Sequence, residues 1–190
     1  MAAGKEQLGQ EYEVRWKPFF LDPSLPKDGG LTKVERLNRK FGPERVAQMI
    51  PYLTATFASE GLTFSAEGTV GNTFDSHRLL ELAGTQSVAK QDALIEQLFT
   101  AYFTQGKSLA DAGVLLAAAE QAGVDGAAAV IEGGAFADEV RTNVERAYRE
   151  GVSGVPHFKI SSASGGPVHQ ISGGQPPEAF LSIFGKLSPA

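Results

Sequence analysis

Val152-Ser153-Gly154-Val155-Pro156-His157-Phe158 is the stretch on which the fold turns. Gly151 and Gly154 interrupt whatever precedes it, and Pro156, with no main-chain donor, belongs at the start or edge of a strand. Phe158-Lys159-Ile160 reads as that strand, and Val168-His169-Gln170-Ile171 as a second one beyond a loop tip at 161–166. Pro176-Pro177 then start a helix in which Phe180, Leu181, Phe184 and Leu187 recur at helical spacing and are expected inside.

Working outward, the sequence before this stretch is helical for more than a hundred residues. Glu139 to Glu150 sets Val140, Val144, Ala147 and Tyr148 on one inward face, with Gly151 as its stop. Gly42-Pro43 opens a helix carrying Val46, Met49, Ile50, Leu53 and Phe57, and Pro51 inside it predicts a kink or a break. Asn72-Thr73-Phe74-Asp75 reads as a cap on a short helix through Ala83. Gln91 to Phe103 presents Leu94, Ile95, Leu98, Phe99 and Tyr102, and the aromatic run Phe99, Tyr102, Phe103 is expected to pack in the core. Ser108-Leu109-Ala110-Asp111 resembles a capping box with Asp in place of Glu, and Gly123 ends the helix it starts. At the front, Tyr12-Glu13-Val14-Arg15-Trp16-Lys17 alternates apolar and charged residues and predicts a strand stopped by Pro18.

This order, strand, many helices, strand, strand, helix, fits an α/β fold: a small mixed sheet with a large all-helical insertion. Residues 1–26 and 139–190 form the expected core, and 27–138 the insertion.

Composition narrows the chemistry. The 190 residues carry 17 Lys and Arg against 22 Asp and Glu, a net charge of -5. The basic residues are scattered among acids, which argues against a nucleic-acid partner. No apolar run reaches the length of a membrane span, and Met1 to Glu6 shows no secretory pattern, so a cytoplasmic location without a membrane partner is expected. The sequence contains no cysteine, which excludes thiolate catalysis, disulfides and cysteine zinc sites from these residues. His77, His157 and His169 have no matching carboxylate spacing, so no metal site is expected. Gly133-Gly134 and Gly165-Gly166 lack the Lys-Ser/Thr of a phosphate loop, and Ser153 lacks a nucleophile elbow.

Four blocks carry a resemblance. They are Glu13 to Phe19, Asn72 to Leu79, Leu98 to Phe103, and Gly151 to Phe158, followed by Ile171-Ser172-Gly173-Gly174-Gln175-Pro176-Pro177-Glu178. In this order and spacing they resemble the DsbA-like thioredoxin-domain family, which includes FrnE-type oxidoreductases and 2-hydroxychromene-2-carboxylate isomerases. The resemblance implies a thioredoxin-like fold and thiol-disulfide chemistry. It departs at the front, where members open with a strand running into Cys-Pro-x-Cys at a helix start. Here Gly4-Lys5-Glu6-Gln7-Leu8 is similar to the tail of that helix. The expected fold therefore has its first, central strand missing, as in a truncated or degenerate member or one that borrows a strand. Each buried main-chain group left unpaired by that loss costs about 1–3 kcal/mol.

The resemblance also implies a cis Val155-Pro156 bond, with Val155 offering strand-like hydrogen bonds to a peptide or to glutathione. Residue pattern alone leaves open a trans proline at a strand edge. Asn72 and His77 are the other candidate substrate-binding residues, because the Asn72-Thr73 block lines the groove in related isomerases. Against this, Asn72 or Thr73 serves as a helix cap, Arg78 pairs with Asp75 or Glu81, and a lone histidine such as His77 is commonly structural. His157 alternates to the face opposite Phe158. Three readings of function follow: a thiol-disulfide oxidoreductase relative inactive in this cysteine-free form, a non-catalytic peptide- or glutathione-binding module, and a glutathione-dependent isomerase or transferase relative. The partners expected are a peptide, a thiol or a glutathione-type ligand, with a homodimer as a further state; no cofactor is required except glutathione in the third reading.

Overall fold

The computed structural model describes residues 6, 8, 9, 11–27 and 29–187. The chain divides into two compact units, Met1–Val14 with Val144–Ala190, and Arg15–Asn143.

The Arg15–Asn143 unit is mostly helical. It contains β1 (Leu31–Thr32), α1 (Lys33–Phe41), α2 (Pro43–Ser59), β2 (Thr69–Val70), α3 (Phe74–Gln86), α4 (Val88–Phe99), a π-helical turn at Thr100–Thr104, α5 (Ala112–Gln121) and α6 (Ala127–Glu132). The helix α7 (Ala137–Arg149) runs across the division. Leu79, Leu94, Leu98 and Leu115 are buried at the centre of the cluster formed by α3, α4, α5 and α6. Burying each such leucine contributes about 1.5–3 kcal/mol, so this cluster is the main source of the unit's cohesion.

Caps explain where the helices start. Thr32 and Glu35 form a reciprocal capping box on α1. Asp111 is itself the cap of α5, accepting from Gly113 at 2.7 Å and Val114 at 3.2 Å. The capping box read at Ser108 is thus displaced by three residues, because an ionised carboxylate at the helix N-terminus is the stronger acceptor. Gly123, at φ +65°, closes the other end.

The structure corrects four further expectations. No strand is assigned over 12–17, although burial alternates there as the residues do. Alternation specifies which side chains share a face, and at Trp16 the main chain is engaged by a side chain rather than by a ladder. Trp16 N–H donates to Gln91 Oε1 at 3.0 Å, and Gln91 Nε2 donates back to the Trp16 carbonyl at 3.2 Å. Second, α2 continues through Pro51 without a break, since proline removes a single donor from an otherwise intact ladder. Third, the helical region is not all-helical: β1 and β2 pair antiparallel, Leu31 with Val70 and Thr32 with Thr69. Fourth, Phe99 and Phe103 are 38% and 37% exposed, and Tyr148 is exposed as well. Phe99, at the end of α4, and Phe103, in the π turn, join a ring network with Trp16, Tyr102 and Phe57.

That turn is held from outside. A Cβ on Gly68, which sits at φ +89°, would lie 1.7 Å from the Gly106 carbonyl oxygen, so only glycine permits this approach of the two segments. Buried Lys33 donates its ammonium to the Tyr102 carbonyl and lies over the Tyr102 ring; burial lowers its pKa.

In the other unit, β3 (His157–Ile160) and β4 (His169–Ser172) form an antiparallel hairpin, followed by α8 (Pro177–Leu187). Phe158 meets Phe180 of α8 edge-on at 4.9 Å. Phe184 is buried and contacts Tyr12, while Phe180, Leu181 and Leu187 are half-buried. Of the Gly4–Leu8 segment, Gly4, Lys5 and Gln7 lie outside the described residues; Glu6 and Leu8 are helical.

Candidate functional site

The hairpin unit carries the candidate site. At the end of α7, the Gly151 and Val152 amides donate to Tyr148 and Ala147, both at 3.0 Å, and Gly151 takes φ +79°. This closure turns the chain and buries Val152. Ser153 and Gly154 lead to Val155, which is 47% exposed, and to Pro156, joined to it by a cis peptide bond.

Register decides which main-chain groups remain available. Gly173 N–H donates to the Pro156 carbonyl at 2.8 Å, and His157 stands opposite Ser172, Phe158 opposite Ile171, Lys159 opposite Gln170. In an antiparallel ladder hydrogen-bonded pairs alternate with non-bonded ones. Pro156, Phe158 and Ile160 therefore face β4 with their main chain, and His157 and Lys159 face away from it. Among the described residues, nothing pairs with that outer edge of β3, and the main chain of Val155 makes no hydrogen bond. The edge offers an alternating series of donors and acceptors at Val155, His157 and Lys159.

Side chains divide by the same alternation. Phe158, Ile160, Ile171 and His169 share the face that includes the Phe158–Phe180 contact. The opposite face is polar. There His157 Nδ1 lies 2.8 Å from Ser172 Oγ, and His157 Nε2 lies 3.1 Å from Gln170 Oε1. Lys159 on this face pairs with Glu150, the residue that follows α7.

Residues 2–185 match the family described as DSBA-like thioredoxin domain. The chain belongs to that family. A crystal structure described as a "probable DsbA oxidoreductase" of Streptomyces coelicolor superposes with a TM-score of 0.78 at 31% identity, covering 92% of this chain and 76% of that one. The uncharacterized protein YwbO of Bacillus subtilis (strain 168) is 26% identical over 175 residues, 84% of this chain and 78% of the relative. The DsbA-like thioredoxin fold expected from the spaced blocks is thereby established, with its helix-rich body and small strand pairs.

The remaining candidates of this DsbA-like protein lie in the Arg15–Asn143 unit. Asn72 is fully engaged at the start of α3. Its main-chain N–H donates to Pro26 at 2.8 Å, its Nδ2 to Leu25 at 3.3 Å, and its Oδ1 accepts from Phe74 N–H at 2.8 Å. Thr73, the N-cap, makes no side-chain cap bond. His77 is set beside the Phe20 ring, 5.5 Å between centroids, and burial pushes its pKa down to about 4 against the opposing effect of a hydrogen bond to the Phe19 backbone. The imidazole is accordingly neutral near pH 7. Arg78 is buried and pairs with Asp75 at 2.8 Å; its other donors reach the carbonyls of Val130, Gly133 and Ala135 around the end of α6. Asn72 thus lies just before the N-cap of α3, His77 and Arg78 lie in its first two turns, and Asn72 and Arg78 are committed to holding neighbouring backbone.

Sequence reasoning missed Gln91, Lys33 and the His157–Ser172–Gln170 triplet. The triplet was legible in one respect, since His157 and Ser172 flank the hairpin symmetrically, but register is required to see it. An open hollow of about 360 Å³, lined in part by Leu116, Glu120, Gly123, Val124 and Asp125, contains none of the predicted residues. Among the described residues, no group of acidic and histidine side chains is arranged to hold a metal, and no helix is long and apolar enough to cross a membrane.

Proposed function

We propose that this DsbA-like protein holds an extended peptide, or a peptide-like thiol such as glutathione, along the outer edge of β3, and performs no thiol-disulfide exchange of its own. The carrying observation is the unpaired edge at Val155, His157 and Lys159 in residues that contain no cysteine. Exchange begins with attack by a thiolate, and this sequence supplies none. What the edge supports is strand addition, in which ligand main chain supplies affinity and flanking side chains supply selectivity. On this reading residues 1–26 and 139–190 form the core that presents the site, and 27–138 the insertion. His77 and Asn72 are then structural.

Two assays test this. Insulin reduction with dithiothreitol should proceed at the rate of buffer alone, and reduced glutathione or a blocked pentapeptide should bind measurably by calorimetry. Turnover above buffer, or a folded protein that binds neither compound, would sink the reading.

A further inference from the structure

Among the described residues β3 and β4 pair only with each other, so the hairpin has a second outer edge, on β4. The Pro156–Gly173 bond fixes which groups lie on it. Phe158 and Ile160 bond across to Ile171 and His169, and the main chains of Gln170 and Ser172 therefore point away from β3. By register alone, both edges would serve equally as templates for an added strand.

They differ at one group. Gln175 Nε2 donates to the Ser172 carbonyl at 3.1 Å, so an acceptor that an added strand needs at the end of β4 is already used. No such contact meets β3. The side chains of His157 and Lys159 bond Ser172, Gln170 and Glu150, and among the described residues no side chain reaches the main chain of either.

The sequence builds this contact locally. Gly173 takes φ +79°, a conformation suited to glycine, and turns the chain directly after Ser172. Gln175 precedes Pro176, and a residue before proline is biased to extended backbone. The restricted turn carries the Gln175 amide back beside β4. Gln175 is exposed, so packing does not hold its amide there; the hydrogen bond does.

We infer, on the β3-edge reading, that Gln175 is a specificity-determining residue that closes the β4 edge to an incoming strand and confines peptide to β3. A strand adding to β4 must first displace the Gln175 amide, whereas one adding to β3 meets donors and acceptors already open. Gln175 thereby decides which of two edges takes the ligand.

The test titrates a blocked pentapeptide, acetyl-Thr-Val-Thr-Val-Thr-amide, into the folded protein and follows amide hydrogen exchange residue by residue. In the wild type, the Val155, His157 and Lys159 amides should reach half protection at a lower peptide concentration than those of Gln170 and Ser172. Gln175→Ala should lower the concentration needed at Gln170 and Ser172 about threefold to tenfold, the scale of one neutral hydrogen bond, and leave the β3 amides unchanged. Gln175→Lys keeps a donor of similar reach and should restore the wild-type order. Equal concentrations at Gln170 and Ser172 in wild type and Gln175→Ala, a shift of the same size at β3, or a Gln175→Lys protein that behaves as Gln175→Ala would overturn the inference while leaving the β3-edge reading intact. Protection of neither edge in the wild type, or of the β4 edge alone, would sink the β3-edge reading and this inference with it.

Discussion

The Arg15–Asn143 unit and the hairpin unit treat exposed backbone in opposite ways. In the first, long polar side chains reach main-chain groups that secondary structure leaves over. Arg78 collects carbonyls around the end of α6, Gln91 closes both main-chain groups of Trp16 and the Leu80 carbonyl, and Lys33 serves the Tyr102 carbonyl on the π turn. In the second, the outer edge of β3 runs from the exposed Val155 through His157 and Lys159, and nothing described covers it. Side chains that close backbone stabilise a fold; backbone that stays open at an ordered strand can recognise another strand.

The largest effect that would break this contrast is at Arg78. Arg78→Met removes the donors from three carbonyls and leaves Asp75 unpaired, and should cost about 3–5 kcal/mol, read as a lower urea midpoint. A loss near zero would mean that water replaces the guanidinium, and that the unit is not closed in the way described.

His77 comes next, through pH. Its folded pKa of about 4 lies below the ordinary 6.5, so the unfolded chain binds the proton more readily. The stabilisation from a neutral His77 is complete above pH 6.5 and is lost as pH falls toward 4, on the order of 3 kcal/mol across that window. His77→Gln should flatten this part of the stability profile. An unchanged slope would show that the imidazole is not held neutral against Phe20.

Much of this was legible in the residues. Apolar spacing identified the face of α4 through Leu94, Ile95 and Leu98, and the two short C-terminal strands after Val155-Pro156 were read in place. Two features were not legible, for one physical reason. The alternating Glu13-Val14-Arg15-Trp16 pattern specifies which side chains turn inward, but not what meets the backbone, and Gln91 lies 75 residues from Trp16. Likewise His157 and Ser172 become neighbours only through a register set by the Pro156–Gly173 bond. Asp75, three residues before Arg78, was readable as a partner because that pair is local.

The smallest effect is expected on the hairpin's polar face. Ser172→Ala leaves the half-buried His157 ring its Gln170 contact and should change stability by no more than about 0.5 kcal/mol, read by urea denaturation. A large loss of stability would recast the triplet as a register lock.

The most direct measurement is amide hydrogen exchange of the folded protein with and without a saturating blocked pentapeptide. The amides of Val155, His157 and Lys159 should exchange rapidly in the free protein and become protected together on binding, while Phe158 and Ile160, bonded across to β4, change little. Protection elsewhere with these three unchanged, or slow exchange at all three before any ligand is added, would contradict an open β3 edge as the binding site.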